Sequence, residues 1–136
     1  MKSGERIKRL AEFHGHLGPY LIIGMKMGDL SNELLGTESG AGTGQSHKKA
    51  IVKTGKKPPI SCIVDGIQFS SGCTLGKGNI EVLDQESPEA TFIMGEKQIT
   101  IKLKTKIKTK NGDLEAIALK INEKSPQELF EITKNF

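Results

Sequence analysis

The sequence predicts an α+β fold: N-terminal helices and a central helix packed on an antiparallel sheet, with C-terminal helices. Three observations lead there. Apolar residues recur at helical spacing through the first third of the chain. Three strand-like runs then follow one another with only turns between them, as antiparallel pairing requires. The element order reads α, α, β, α, β, β, β, α, α, with no internal repeat. At 136 residues this is one domain, 1–136, long enough to bury a core without disulfide staples.

Ser3 is placed to cap a helix from Gly4 to Phe13, with Ile7, Leu10 and Ala11 on one face. A second helix starts with Gly18 as N-cap and Pro19 in the first turn. Tyr20, Ile23, Met27, Leu30 and Leu34 give it an apolar stripe, and Gly36 stands where a left-handed cap is expected. Gly24 and Gly28 each cost about 1 kcal/mol inside a helix, so close backbone contact is the expected reason for them. The Gly- and Ser-rich run from Thr37 to Ser46 reads as a surface loop, and "HKKAIVKT" as a short strand that starts near His47 and ends at "GKKPP".

"ISCIVDGIQFSSG" suits strand or helix, and helix is the better reading. Ile60, Ile63, Val64 and Ile67 then form a core stripe, while Cys62, Asp65 and Phe69 share another face. "CTLGKGN" is a glycine-punctuated loop. "IEVLD" and "ATFIMG" are strands joined by "QESPE". In "QITIKLKTKIKTKNG", Ile99, Ile101, Leu103 and Ile107 alternate with Lys102, Lys104, Lys106 and Lys108, which predicts one long strand with a wet lysine face ending at the Asn111-Gly112 turn. Leu114, Ile117, Ala118 and Ile121 mark a helix. Ser125-Pro126-Gln127-Glu128 is a capping box that opens a last short helix.

Composition narrows the function classes. The net charge of +4 suits an anionic small ligand better than a nucleic-acid surface. With only 4% aromatic residues, a stacking platform for bases is set aside. The apolar run "YLIIGM" falls far short of the roughly 20 residues that cross a bilayer. No apolar signal-peptide core follows Met1, and two cysteines suit a reducing compartment, so a cytoplasmic, soluble protein without membrane association is expected.

The chemistry concentrates in two glycine-marked segments. His14, His16, Cys62 and Cys73 are the residue types that zinc and related divalent ions prefer. An HxH pair in extended chain would point both imidazoles to one side. A helix between the cysteines sets them roughly 15 Å apart along its axis, too far for a disulfide, whose Cα atoms lie within about 7 Å. Cys62 is the better ligand, at a helix start that favours thiolate. Cys73 joins it if the chain folds back at Gly72, or else stands nearby as a reactive thiol. Asp65, one turn beyond Cys62, either orients a ligand histidine or acts as general base, and Gln68 has the same two readings. Lys77, between Gly76 and Gly78, is placed to meet an anion. "GCTLGKG" is one residue short of a P-loop and has Gly78 where Ser or Thr would hold magnesium, so nucleotide hydrolysis is excluded.

"FHGHLGPYLIIGMKMG" and "CIVDGIQFSSGCTLGKGNI" together resemble the FmdE family, proteins associated with formylmethanofuran dehydrogenase, over about Phe13 to Ile80. The resemblance implies an α+β core, a homodimer, and a metal near His14, His16, Cys62 and Cys73. Asp65, Gln68 and Lys77 fall on its second motif. It also implies association with formylmethanofuran dehydrogenase and one-carbon, methanogenesis-related metabolism. The sequence departs at Gly18, where many members carry cysteine, and at Tyr20, where they carry glycine. Two cysteines cannot give an iron–sulfur cluster its usual four thiolates. Two functions are therefore expected: a metal site in a cleft that binds or transforms a small substrate, or a non-catalytic accessory or metal-delivery protein of a tungsten or molybdenum enzyme system.

Overall fold

Helix α2, Pro19–Leu35, organises the molecule. In the computed structural model, which describes residues 3–35, 48–109 and 112–136, it carries buried residues on every side. Leu21, Ile22, Ile23 and Met27 are all inaccessible to solvent. A single stripe was too narrow a reading, because α2 has neighbours all round. It packs against α3 (Cys62–Ser71), against α4 (Leu114–Asn122), and against strands β3 (Glu89–Met94) and β4 (Lys97–Leu103). Helix α1, Ser3–His14, lies against α3.

The α+β class is as expected, with two differences in layering. The central helix α3 packs chiefly on α2, and α2 faces the sheet. The sheet is mixed, with strand order β2-β1-β3-β4-β5. Strand β1, Lys48–Val52, runs parallel to β2, Ile80–Val82, because α3 forms the crossover between them. The other pairs, β1–β3, β3–β4 and β4–β5, are antiparallel.

Strand β4 stops at Leu103 rather than running on through the lysines. Its neighbours set the limit: β3 begins at Glu89, opposite Lys102, and β5, Phe130–Lys134, begins at Phe130, opposite Leu103. Beyond that point there is no ladder to join. β5 is an element the sequence reading lacks. The expected last helix is four residues long, Pro126–Leu129, with its capping box formed, and the chain turns straight into the edge strand.

The glycines of α2 serve contact within this chain. A Cβ at Gly24 would overlap the carbonyl of Ile63, one at Gly28 would overlap the Ser70 hydroxyl, and one at Gly66 of α3 would overlap the carbonyl of Leu21. Ser70 uses the close approach to donate to the Met25 carbonyl at 2.8 Å. Expectations for Gly36, the 37–46 loop, His47 and Asn111 lie outside the described residues.

Candidate metal centre

His14 is the last residue of α1, and Gly15 follows at φ 108° with its N–H donating to the Ala11 carbonyl. Only glycine takes this conformation without strain. The HxH pair is therefore a helix end plus a reversal, not an extended segment. It brings the two imidazoles edge to face, with centroids 4.6 Å apart. Cys62 opens α3, the helix that packs on α1.

Among the described residues, His14, His16 and Cys62 form a group that could hold a metal ion, with ligand atoms all within 4.8 Å of one another. His14 Nδ1 lies 2.6 Å from Asp65 Oδ2. A carboxylate only accepts, so Nδ1 carries the proton, and in the neutral ring the free lone pair is the one on Nε2. That Nε2 is buried and has no hydrogen-bond partner among the described residues. An orphaned buried nitrogen on a histidine grouped with a second imidazole and a thiol fits a bound cation, and a carboxylate behind the histidine is the usual support for such a ligand.

Asp65 accepts a second hydrogen bond on Oδ1, from Gln68 Nε2 at 3.3 Å, and Gln68 Oε1 accepts from the Leu75 amide at 2.9 Å. Burial, and then the charge of Asp65, push the Cys62 thiol up from its ordinary value. The sequence led us to expect a helix start that favours thiolate, and the shift runs the other way; a cation would have to supply the compensating charge.

Cys73 lies apart from this group. Gly72 caps α3 at φ 82° and turns Cys73 into the core, fully buried, with its sulfur 3.7 Å from the Lys48 carbonyl. Burial raises its thiol as well. Lys77 stands exposed on the turn after Cys73.

A cavity of about 460 Å³ adjoins the group. His14, Cys62, Asp65 and Gln68 form its polar wall, and Val64 and Leu75 belong to its apolar lining. Its wall also includes a cation that sequence reasoning missed, Lys56, which the "GKKPP" run had suggested only as a strand stop. Cys62 borders a second cavity of about 370 Å³, beside His16 and Tyr20. A Cβ at Gly18, the position of the family's cysteine, would meet His16 Cε1 at 3.5 Å, so a side chain there would touch the ring.

Fold and site thus define an α+β protein with a His/Cys group able to hold a metal. The family described as "FmdE, Molybdenum formylmethanofuran dehydrogenase operon" matches residues 13–134, and the chain belongs to it. A tungsten formylmethanofuran dehydrogenase FmdE-like protein from Syntrophus aciditrophicus shares the fold, with TM-score 0.67 and 19% identity over 97% of this chain and 71% of that one. A probable S-adenosyl-L-methionine-binding protein from Archaeoglobus fulgidus is 34% identical over 86 residues, which is 62% of this chain and 22% of that protein. The match thus spans about a fifth of that curated relative's length. Among the described residues, no helix is long and apolar enough to cross a membrane.

Proposed function

We propose that this protein binds one divalent cation, zinc, through His14 Nε2, a His16 ring nitrogen and Cys62 Sγ, and holds a small anionic ligand beside it in the larger cavity. The observation that carries this reading is the buried His14 Nε2, unpartnered among the described residues, on a histidine grouped with two further donors. Leaving such a nitrogen unsatisfied costs about 1–3 kcal/mol. Two imidazoles and a thiolate suit zinc, and three protein ligands match the open sites that admit a ligand or substrate. When bound, the cation supplies Lewis acidity toward an oxygen donor of that ligand. Asp65, engaged by His14, serves as orienter rather than general base. Lys56 at the cavity wall and Lys77 on the nearby turn draw an anion in. Cys73, in the core, has no part in the reading.

In this reading the protein acts in the cytoplasm as a homodimer associated with formylmethanofuran dehydrogenase, and the family's link to that enzyme's operon supports the association. The metal-delivery alternative keeps one observation in its favour: His16 is exposed, which makes ligand exchange easy.

Elemental analysis of protein purified with zinc should find about one ion per chain, and almost none in His14→Ala/His16→Ala. Unchanged metal content in that variant overturns the assignment. Rapid transfer of the ion to an acceptor chelator would favour delivery. A cobalt-substituted spectrum that shifts when small carboxylates are added would favour ligand binding.

A further inference from the structure

The apolar part of the larger cavity comes from three elements that leave it only partly covered. Ile80 and Val82 stand two apart on β2, so they share one face of the sheet. Their partners in β1, Ala50 and Val52, are fully buried, while Ile80 and Val82, on the edge strand, are half-buried. Val64 of α3, also half-buried, lines the same cavity. Leu75, on the turn after Cys73, is 78% exposed at its rim. A lone exposed leucine is ordinary. Here, partly covered side chains from a helix, a turn and an edge strand surround one cavity of about 460 Å³, a size that suits a small molecule with an apolar body.

The polar lining sets the head group of such a molecule. His14, Cys62, Asp65 and Gln68 supply it, with Lys56 at the wall. Both Asp65 oxygens are engaged, Oδ2 with His14 Nδ1 at 2.6 Å and Oδ1 with Gln68 Nε2 at 3.3 Å. With a divalent cation in place, the Cys62 thiolate and the Asp65 carboxylate cancel its charge, and Lys56 leaves a single positive charge over. A monoanion balances that charge, whereas the dianion of a phosphate ester overshoots it. Ser61 adds a hydroxyl to the lining, one that does not cap α3.

We propose that the larger cavity takes a monocarboxylate carried on an aliphatic body, with Leu75 selecting for chain length and Lys56 meeting the head. The proposal rests on the cation-binding reading for the second partner of the carboxylate, whereas chain-length selection stands on the apolar lining alone. Leu75 suits that role because its main chain is held, its N–H donating to Gln68 Oε1 at 2.9 Å, so the ligand body meets a placed wall. Each methylene moved from water into apolar contact strengthens binding by up to about fourfold.

Calorimetric titration of zinc-loaded protein with acetate, butyrate and hexanoate, at constant ionic strength, reads this. Affinity should climb about twofold to fourfold per methylene. Hexanol, with the same body and no charge, should bind far more weakly than hexanoate. Leu75→Asn should leave acetate affinity where it is and flatten the climb, cutting hexanoate affinity about threefold to tenfold. Lys56→Gln should lower the affinity for all three acids by a similar factor, roughly twofold to fivefold, with the climb kept. No climb in the wild type, or a climb that Leu75→Asn leaves intact, overturns the proposal, and so does hexanol that binds as tightly as hexanoate. If the wild type takes up no zinc, the cation reading fails, and the same series on metal-free protein then decides chain-length selection by the same results.

Discussion

Burial and the charge of Asp65 raise the Cys62 thiol, so metal-free Cys62 should hold its proton and only a cation would ionise it. A bound thiolate resists alkylation, and chelation should release it. Thiol labelling located by mass spectrometry is therefore expected to find Cys62 protected in zinc-loaded protein and labelled after chelation. Cys73, fully buried, should stay unlabelled in both states until the protein unfolds. Fast labelling of Cys62 with zinc present would remove it from the ligand set. At this scale the sequence named all three members of the group, and Asp65 behind them, because the residue types themselves carry the chemistry. It ranked Cys62 above Cys73 but left open whether the chain folds back at Gly72 to bring Cys73 in. That depends on the left-handed turn at Gly72, which sends Cys73 toward β1 instead of back along α3. Lys56 was missed because its place at the cavity wall comes from tertiary packing, not from a local pattern.

The α2–α3 crossing depends on missing side chains. Gly24 and Gly66 each let one helix backbone rest on a carbonyl of the other, and backbone cannot move aside as a flexible side chain can. Gly66→Ala is expected to destabilise by about 1–3 kcal/mol through overpacking, on top of any gain in helix propensity. Gly76→Ala is the control, since nothing lies within 4 Å of a Cβ there. Urea denaturation of both variants measures this, and a Gly66→Ala midpoint equal to that of Gly76→Ala would mean the helices separate freely. Because α3 opens with Cys62 and carries Asp65, parting the helices should also cost metal affinity. Element existence was largely legible, since period and capping signals are local: the α2, α3 and α4 patterns and the Ser125 capping box all formed. Strand ends were not. A ladder stops where its partners stop, and β5 was hidden behind a strong helix start whose helix lasts only one turn.

Across the whole molecule, one buried cation ties the layers together. Lys48 begins β1, and its Nζ donates to Ser31 Oγ at 3.0 Å and to Asn32 Oδ1, both of α2, and to the Ser71 carbonyl of α3 at 3.3 Å. The inward positions of β1 are Lys48, Ala50 and Val52, so strand parity alone would have placed this lysine in the core, against the usual rule for charge. Burial lowers its pKa from the ordinary 10.5 to about 8. Below about pH 8 both folded and unfolded chains carry the proton, and the cost of the buried charge is present in full. Between about 8 and 10.5 the unfolded chain keeps a proton that the folded one has lost. The Lys48 contribution to stability therefore rises with pH, by up to about 1.4 kcal/mol per unit. The two thiols act in the opposite sense: raised by burial, they keep protons that the unfolded chain releases near pH 9, and their contribution falls as pH climbs. The measurement is thus a difference, wild type against Lys48→Met, in which Cys62 is common to both, while Cys73, whose thiol loses the lowering effect of Lys48 in the variant, adds to the difference in the same direction. Urea unfolding at about pH 7.5, below the window, and at about pH 9.5, inside it, should find wild type gaining on Lys48→Met at the higher pH. A difference independent of pH would mean that Lys48 keeps its ordinary proton affinity, and that the hydroxyl, amide and carbonyl around it hold the ammonium as well as water does.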